Sequence, residues 1–169
     1  MFKSSQGDIL MNWYIKVIKN YVNFKGRARR EEFWLFVLLN CVFLFLASSL
    51  DSILDATTQI NHIPLFAPII QLGNPPEIAH GWIYILYSYF IIIPNWTVMV
   101  RRLHDTEHSG VWVLVVILPS LLVPFAKLEI VNVLLIIMFF LSIFLFIMLC
   151  KEGTTGENKY GPDPKTTAV

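Results

Sequence analysis

Four apolar stretches decide what this chain can fold into: roughly Phe33–Leu50, Ile78–Val100, Val111–Phe125 and Ile130–Cys150. The longer ones match the ~20 residues that an α-helix needs to cross ~30 Å of hydrocarbon. If each stretch crosses a bilayer, the 13 Lys and Arg residues separate, with 12 on one face and Lys127 alone on the other. A soluble core has no use for that division, whereas the positive-inside rule produces it. The expected fold is therefore all-α and polytopic, with four transmembrane helices in a bundle. Both termini are expected in the cytoplasm. Seven basic residues precede the first span, two lie between the second and third, and three follow the fourth.

Composition points the same way. The chain is 56% hydrophobic and 15% charged, where soluble domains carry about a quarter charged residues. The net charge of +1 says little, because the distribution carries the information. Nucleic acid is not an expected partner. Cys41 and Cys150 both lie in apolar runs, where a free thiol behaves as a small hydrophobe, so no disulfide is expected. Phe33–Leu46 followed by Ala47-Ser48-Ser49 has the look of a secretory signal. The 32 residues before it are too long for an ordinary n-region, so an uncleaved first helix is expected.

Outside the spans the chain divides into short units. Met1–Leu10 is a polar leader without evident structure. In Met11–Phe24, Asn12, Lys16, Lys19, Asn20 and Asn23 fall on one helical face, and Trp13, Tyr14, Val17, Ile18, Tyr21 and Val22 on the other. This pattern predicts an amphipathic helix lying in the headgroup region. Lys25–Glu32 is a charged hinge in which Gly26 permits a turn. Asp51–Glu77 has no Lys or Arg and four prolines, as an outer loop would. Its apolar segment Ile63–Leu72 is too short to span. Pro94 interrupts the second span and frees a carbonyl for Asn95 or a neighbouring element. Pro119 bends the third, which reaches toward Lys127. The tail, Lys151–Val169, is polar and rich in turn residues. Arg29–Trp34 before the first span and Arg101–Trp112 before the third form a faint internal echo.

Three polar clusters reach the same face: Gly26–Trp34 (GRARREEFW), Arg101–Gly110 (RRLHDTEHSG) and Gly153–Pro164 (GTTGENKYGPDP). In a compact bundle helix axes stand about 10 Å apart, so these clusters can touch. The candidate polar site is Arg27, Arg30, Glu32, Arg101, Arg102, His104, Asp105, Asn158 and Asp163. Guanidinium forks suit carboxylate and phosphate alike. The cluster reads either as a pocket for a lipid headgroup or another phosphorylated ligand, or as an ion-pair network that fastens the loops to the helix ends. His104 and His108 at i and i+4, with Glu107 between them, imitate a zinc protease motif. A catalytic zinc needs a third protein ligand and an open position; the remaining histidines, His62 and His80, fall on the opposite face, and although a carboxylate could serve as a ligand, no metal and no cofactor are expected. Ser109 is placed to cap the third helix. The spans hold almost no ionisable groups, unlike coupled carriers. Asn40, Asn95 and Asn132 read as interhelical hydrogen-bonding groups.

These residues resemble a known family. Gly26-Arg27-Ala28 through Glu32-Phe33-Trp34, Arg101–Asp105 with Ser109-Gly110, and Gly153-Thr154, Gly156, Asn158 and Tyr160–Pro164 are similar to the three signature blocks of the bacterial inner-membrane family catalogued as domain of unknown function 805. The likeness covers about Met11–Pro164. Val111 stands where the family often has a tryptophan, and His108 where it usually has a small or basic residue. Members often begin near Met11. The resemblance implies fold and inner-membrane location, and it carries no reaction and no site residues. The expected function is a non-enzymatic module that binds lipid headgroups or a partner protein. Two alternatives stand beside it. One is an oligomeric channel or small-solute transporter, for which the chain would form a homo-oligomer. The other is an enzyme acting on lipid headgroups with His104 and Asp105 as its acid and base.

Overall fold

The computed structural model describes residues 6–54, 57–58, 80–122 and 127–166. Five helices follow in order: α1 Gln6–Lys19, α2 Arg30–Ile53, α3 Trp82–Asp105, α4 Val111–Leu122 and α5 Leu128–Cys150. A two-residue antiparallel ladder, β1 Thr57–Thr58 with β2 His80–Gly81, joins α2 to α3. The outer-loop segment Ile63–Leu72 and most of its flanks lie outside the described residues.

Three helices, at Arg30–Ile53, Trp82–Asp105 and Ile130–Cys150, are long and apolar enough to cross a membrane. Their surfaces agree with that use. Leu38, Phe45, Leu86, Phe139, Phe140 and Ile147 are exposed, as they would be in contact with acyl chains. The third expected span is shorter. At ~1.5 Å per residue, the 12 residues of α4 rise about 18 Å, and residues 123–126 are outside the description. Lys127 stands at the start of α5 in extended conformation, so it is not part of α4.

The helices pair as two antiparallel hairpins. Asp51 near the end of α2 meets the first turn of α3. Trp112 at the start of α4 packs edge-on to Phe144 late in α5, with centroids 5.3 Å apart. Arg102 near the end of α3 bonds to Leu149 near the end of α5, and Trp34 at the start of α2 lies against Phe146. One end of the bundle therefore gathers the starts of α2 and α4 and the ends of α3 and α5. A small core sits near that end, formed by Val17, Ala28, Phe33, Phe36, Val98, Leu103, Val113, Leu145, Met148 and Leu149.

Helix α1 ends at Lys19, five residues before the expected Phe24, and other helices cover part of its apolar face. Val17 is fully buried and Trp13 nearly so. Tyr14 stacks on Phe36 at 5.1 Å, and its hydroxyl lies 3.0 Å from that of Tyr87. Tyr87 in turn donates to Asn40 Oδ1 at 2.6 Å. Asn40 is thus an interhelical anchor as expected, whereas Asn132 is exposed on α5. Met11 and Ile15 on α1, and Val22 and Phe24 beyond its end, remain exposed. The helix also begins at Gln6, inside the stretch read as an unstructured leader.

Pro94 sits inside α3. It has no N–H to give to the carbonyl of Phe90, four residues earlier. Tyr21, just after α1, fills the vacancy: its hydroxyl donates to Phe90 O at 2.5 Å. Thr97 Oγ1 donates to Tyr21 O and to Ile93 O, both at 2.9 Å. A neighbouring segment, and not Asn95, satisfies the freed carbonyl. Replacing Tyr21 with phenylalanine removes only this donor, so thermal unfolding in detergent should show a loss of about 1–2 kcal/mol. An unchanged midpoint would mean that the carbonyl is met in some other way.

Candidate polar site at the common end

Gly26 turns the chain with φ +84° and delivers Arg27 and Ala28 beneath the last turn of α3. The Ala28 N–H donates to Arg101 O at 3.0 Å. Helix α3 runs past Val100, where its apolar stretch ends, through to Asp105. It stays helical because tertiary partners receive its charged side chains. Glu107, with φ +63°, then breaks it, so His104 and His108 do not share a helix face. The Ser109 hydroxyl accepts from the Val111 N–H at 3.3 Å, making the expected cap of α4.

Arg102 is the largest fully buried side chain among the described residues. Its Nε donates to Leu149 O at 3.0 Å. Its Nη1 donates to Asp105 Oδ2 and, at 3.5 Å, to Ala28 O; its Nη2 donates to Lys151 O. The last carbonyls of a helix lack intrahelical donors, so Arg102 closes the end of α5 with a cation, the charge favoured there. Arg27 works in the same way on the tail. Its Nε donates to Asp105 Oδ1 at 2.9 Å. Its remaining donors reach the carbonyls of Thr154, Gly156 (2.5 Å) and Gly161 (3.4 Å). Asp105 is held by a different arginine on each oxygen.

The tail closes over this core. Thr154 N–H donates to Asp105 O at 2.9 Å, and Gly153 packs so tightly that a Cβ there would overlap the Asp105 carboxylate. Asn158 Nδ2 donates to His104 O at 3.1 Å and to Thr154 Oγ1 at 2.9 Å. Asn158 and Gly161 exchange backbone hydrogen bonds around a tight turn, with Gly161 at φ +132°. The turn lays Tyr160 flat on the His104 ring, 3.9 Å between centroids and 6° from parallel. His104 Nδ1 lies 3.2 Å from Gly26 O. Asp163 accepts from the Gly156 N–H at 3.0 Å and the Lys165 N–H at 2.8 Å. The Lys165 amide first, and then that of Gly156, hold its carboxyl below the ordinary aspartate range.

Glu32, Arg101 and Lys16 form a second, adjoining group. Glu32 is fully buried between Arg101 Nη2 at 2.9 Å and Lys16 Nζ at 3.1 Å. Arg101 Nε and Nη1 are buried without an acceptor among the described residues. Arg30 stands apart: half-exposed, it pairs with exposed Glu152 at 2.7 Å. Of the nine polar positions singled out from the sequence, the structure joins Arg27, Arg102, Asp105, His104, Asn158 and Asp163 into one knot. It puts Glu32 and Arg101 beside that knot and Arg30 outside it. The carbonyls of Thr154, Gly156 and Leu149 were missed, because a backbone acceptor leaves no trace in residue type. Among the described residues no group of three or more His, Cys, Asp or Glu side chains could hold a metal. His108 Nδ1 lies 3.0 Å from Thr106 Oγ1.

Three long apolar helices tied by a charged knot at their shared end define an integral membrane protein of the helical, polytopic class. A family model described as "Protein of unknown function (DUF805)" matches residues 21–162, and the chain belongs to that family. The chain is similar to the inner membrane protein YhaH of Escherichia coli (strain K12), with 37% identity over 155 residues that cover 92% of this chain and 98% of that protein. It is also similar to the inner membrane protein YhaI of the same strain, at 34% identity, with 92% and 97% coverage. No solved structure matches it. It is thus an integral inner-membrane protein. The family match includes the first two polar blocks entirely and the third as far as Pro162.

Proposed function

We propose that the chain spans the inner membrane four times, with both ends in the cytoplasm, and acts there as a non-enzymatic module that binds lipid headgroups. One observation supports this above the others: Arg27 and Arg102 point inward and are used on the chain's own carbonyls and carboxylates. Asp105, with both oxygens held by arginine, is poorly placed to move a proton. What the knot builds is a fixed platform at the end of the apolar helices. Around it stand the exposed Lys19, Lys25 and Lys151 and the half-exposed Arg30. A basic rim at that depth attracts anionic headgroups over about a Debye length. Native mass spectrometry of gently solubilised protein should find phospholipid retained in stoichiometric amount; a lipid-free particle would overturn the reading.

The orientation has its own test. A single cysteine placed at Thr166, in a chain with Cys41 and Cys150 replaced by alanine, should react with a membrane-impermeant maleimide only after the inner membrane is opened. Labelling in intact spheroplasts would reverse the proposed topology.

A further inference from the structure

We infer that the cleft where α1 lies over the start of α2 is a site for one phosphate group, held by Arg101 and Lys16 beside Glu32. Three arginines are buried at this end of the bundle among the described residues, and two of them are fully employed. Arg27 and Arg102 each donate from all three nitrogens, to Asp105 and to backbone carbonyls. The Arg101 side chain is also buried, at 6% exposed, yet only its Nη2 is in use, on Glu32 at 2.9 Å and on Arg27 O at 3.4 Å. Its Nε and Nη1 meet no acceptor among the described residues. Glu32 mirrors that shortage. Arg101 and Lys16 lie within ion-pair distance of its oxygens, but neither oxygen receives a hydrogen bond of normal geometry. Of the five buried side-chain atoms without a partner among the described residues, four belong to this one group, so the shortage is local. Such atoms are rare in native proteins and point to a ligand or an ordered water.

Charge separates those two occupants. Lys16 and Arg101 set two positive charges against the single negative charge of Glu32. A water would accept from the idle donors and leave the excess charge uncompensated. A phosphodiester brings one negative charge and two unesterified oxygens, which suit a guanidinium and an ammonium together. The ring of Trp13 gathers more positive charge at the mouth, with Lys16 Nζ 4.9 Å and the Arg29 guanidinium 5.5 Å from its centroid. Entry is past Lys16. Its side chain is 36% exposed, whereas Glu32 and Arg101 are closed from solvent. Lys16 shares a polar stripe of α1 with exposed Asn12 and Lys19, and rotation of its flexible four-carbon stem opens the cleft without moving the helix. The phosphate has two possible sources, a lipid headgroup at this polar end or a small phosphate in solution. The lipid source rests on the headgroup-binding reading above; the site itself does not.

The test titrates the full chain in nonionic detergent with short-chain phosphatidylglycerol and, separately, with inorganic phosphate. Binding is read as a saturable rise in the thermal unfolding midpoint, with sodium chloride at equal ionic strength as the reference. Lys16→Gln should weaken binding about tenfold, about 1.4 kcal/mol, and Lys16→Arg should restore most of it. Arg101→Lys keeps a cation beside Glu32 and removes the idle nitrogens, and should weaken binding about as much. Lys19→Gln, on the same stripe but outside the cleft, should change it less than about twofold. The midpoint of each variant without ligand shows that it is folded, and the Lys16 series carries the test if Arg101→Lys is not. Lipid binding with this pattern supports the cleft and the headgroup source. Inorganic phosphate binding with this pattern, without lipid binding, supports the cleft and removes the headgroup as its occupant. Lipid binding that Lys16→Gln and Lys19→Gln weaken alike is the diffuse attraction of a basic rim; it overturns the cleft and leaves the headgroup reading standing. No rise with either probe beyond that of sodium chloride overturns the site and leaves the Arg101 donors to water.

Discussion

Asp105→Asn is expected to destabilise the protein by about 3–5 kcal/mol, the range seen when one partner of a buried ion pair is removed. The substitution keeps the shape and removes the charge that two buried guanidinium groups share: Arg27 at Oδ1 and Arg102 at Oδ2. Both arginine side chains are 1% exposed and cannot turn to water. The new amide also presents N–H groups to one of two cations that have only N–H groups to offer. Thermal unfolding in detergent, with size-exclusion chromatography to report the folded fraction, reads the effect. Glu152→Gln is the matched control, since its carboxylate is 74% exposed and surface pairs contribute roughly 0–1 kcal/mol. A common result with buried ion pairs is that an all-apolar replacement of similar volume restores stability. Here that rescue should fail. Arg102→Leu with Asp105→Leu removes one cation and the shared anion, but it leaves buried Arg27 without its carboxylate and strands the carbonyls of Leu149 and Lys151, which Arg102 now satisfies. Full recovery in the double variant would show that those carbonyl contacts contribute nothing, and that the knot is only an ion pair.

Much of this architecture could be read from the sequence, and the unread part has physical causes. Long apolar runs bounded by charge locate α2, α3 and α5 to within a few residues, because hydrocarbon thickness admits few alternatives. Helix α2 extends three residues past its expected stretch at each end and α5 starts two residues earlier, whereas α3 starts four residues later, at Trp82. Helix α3 continues five residues beyond its apolar stretch because Leu149, Lys151 and Arg27 receive Arg102 and Asp105. No local propensity encodes that reception. The three blocks do meet, as their shared face implied. Which arginines turn inward was not legible: Arg27 and Arg30 stand three residues apart with similar neighbours, yet one is buried against Asp105 and the other pairs with exposed Glu152. The repeat of basic pairs is also only apparent. Arg29-Arg30 opens α2, whereas Arg101-Arg102 lies in the closing turns of α3.

The opposite end of the bundle holds a contact that the sequence pattern did not disclose, and it carries the second large effect. Asp51, assigned by pattern to the outer loop, lies in the last turns of α2 and is 1% exposed. Its carboxylate accepts from the N–H groups of Ile83 at 3.1 Å and Tyr84 at 2.8 Å. These are among the first amides of α3, which have no partner within their own helix. The residue at the cap position is Gly81, with no side chain to serve them. An acid from the neighbouring helix therefore does the capping, and its charge meets the positive end of the α3 dipole. The approach requires a glycine, because a Cβ on Gly81 would overlap the Asp51 carboxyl. Asp51→Ala should cost about 2–3 kcal/mol, from loss of the cap and of the charge at the dipole. Asp51→Asn, which keeps an acceptor, should cost less than half of that. Gly81→Ala should match Asp51→Ala, since it expels the same carboxylate. The decisive measurement is the double variant, followed by thermal unfolding in detergent. With Asp51 already reduced to alanine, the added Cβ at position 81 has nothing to strike. The double variant should then lose little beyond either single one, a coupling well outside the few tenths of a kcal/mol within which independent sites add. Full additivity would mean that glycine is needed at this turn for its backbone alone, and that the cross-helix cap does not hold α2 to α3.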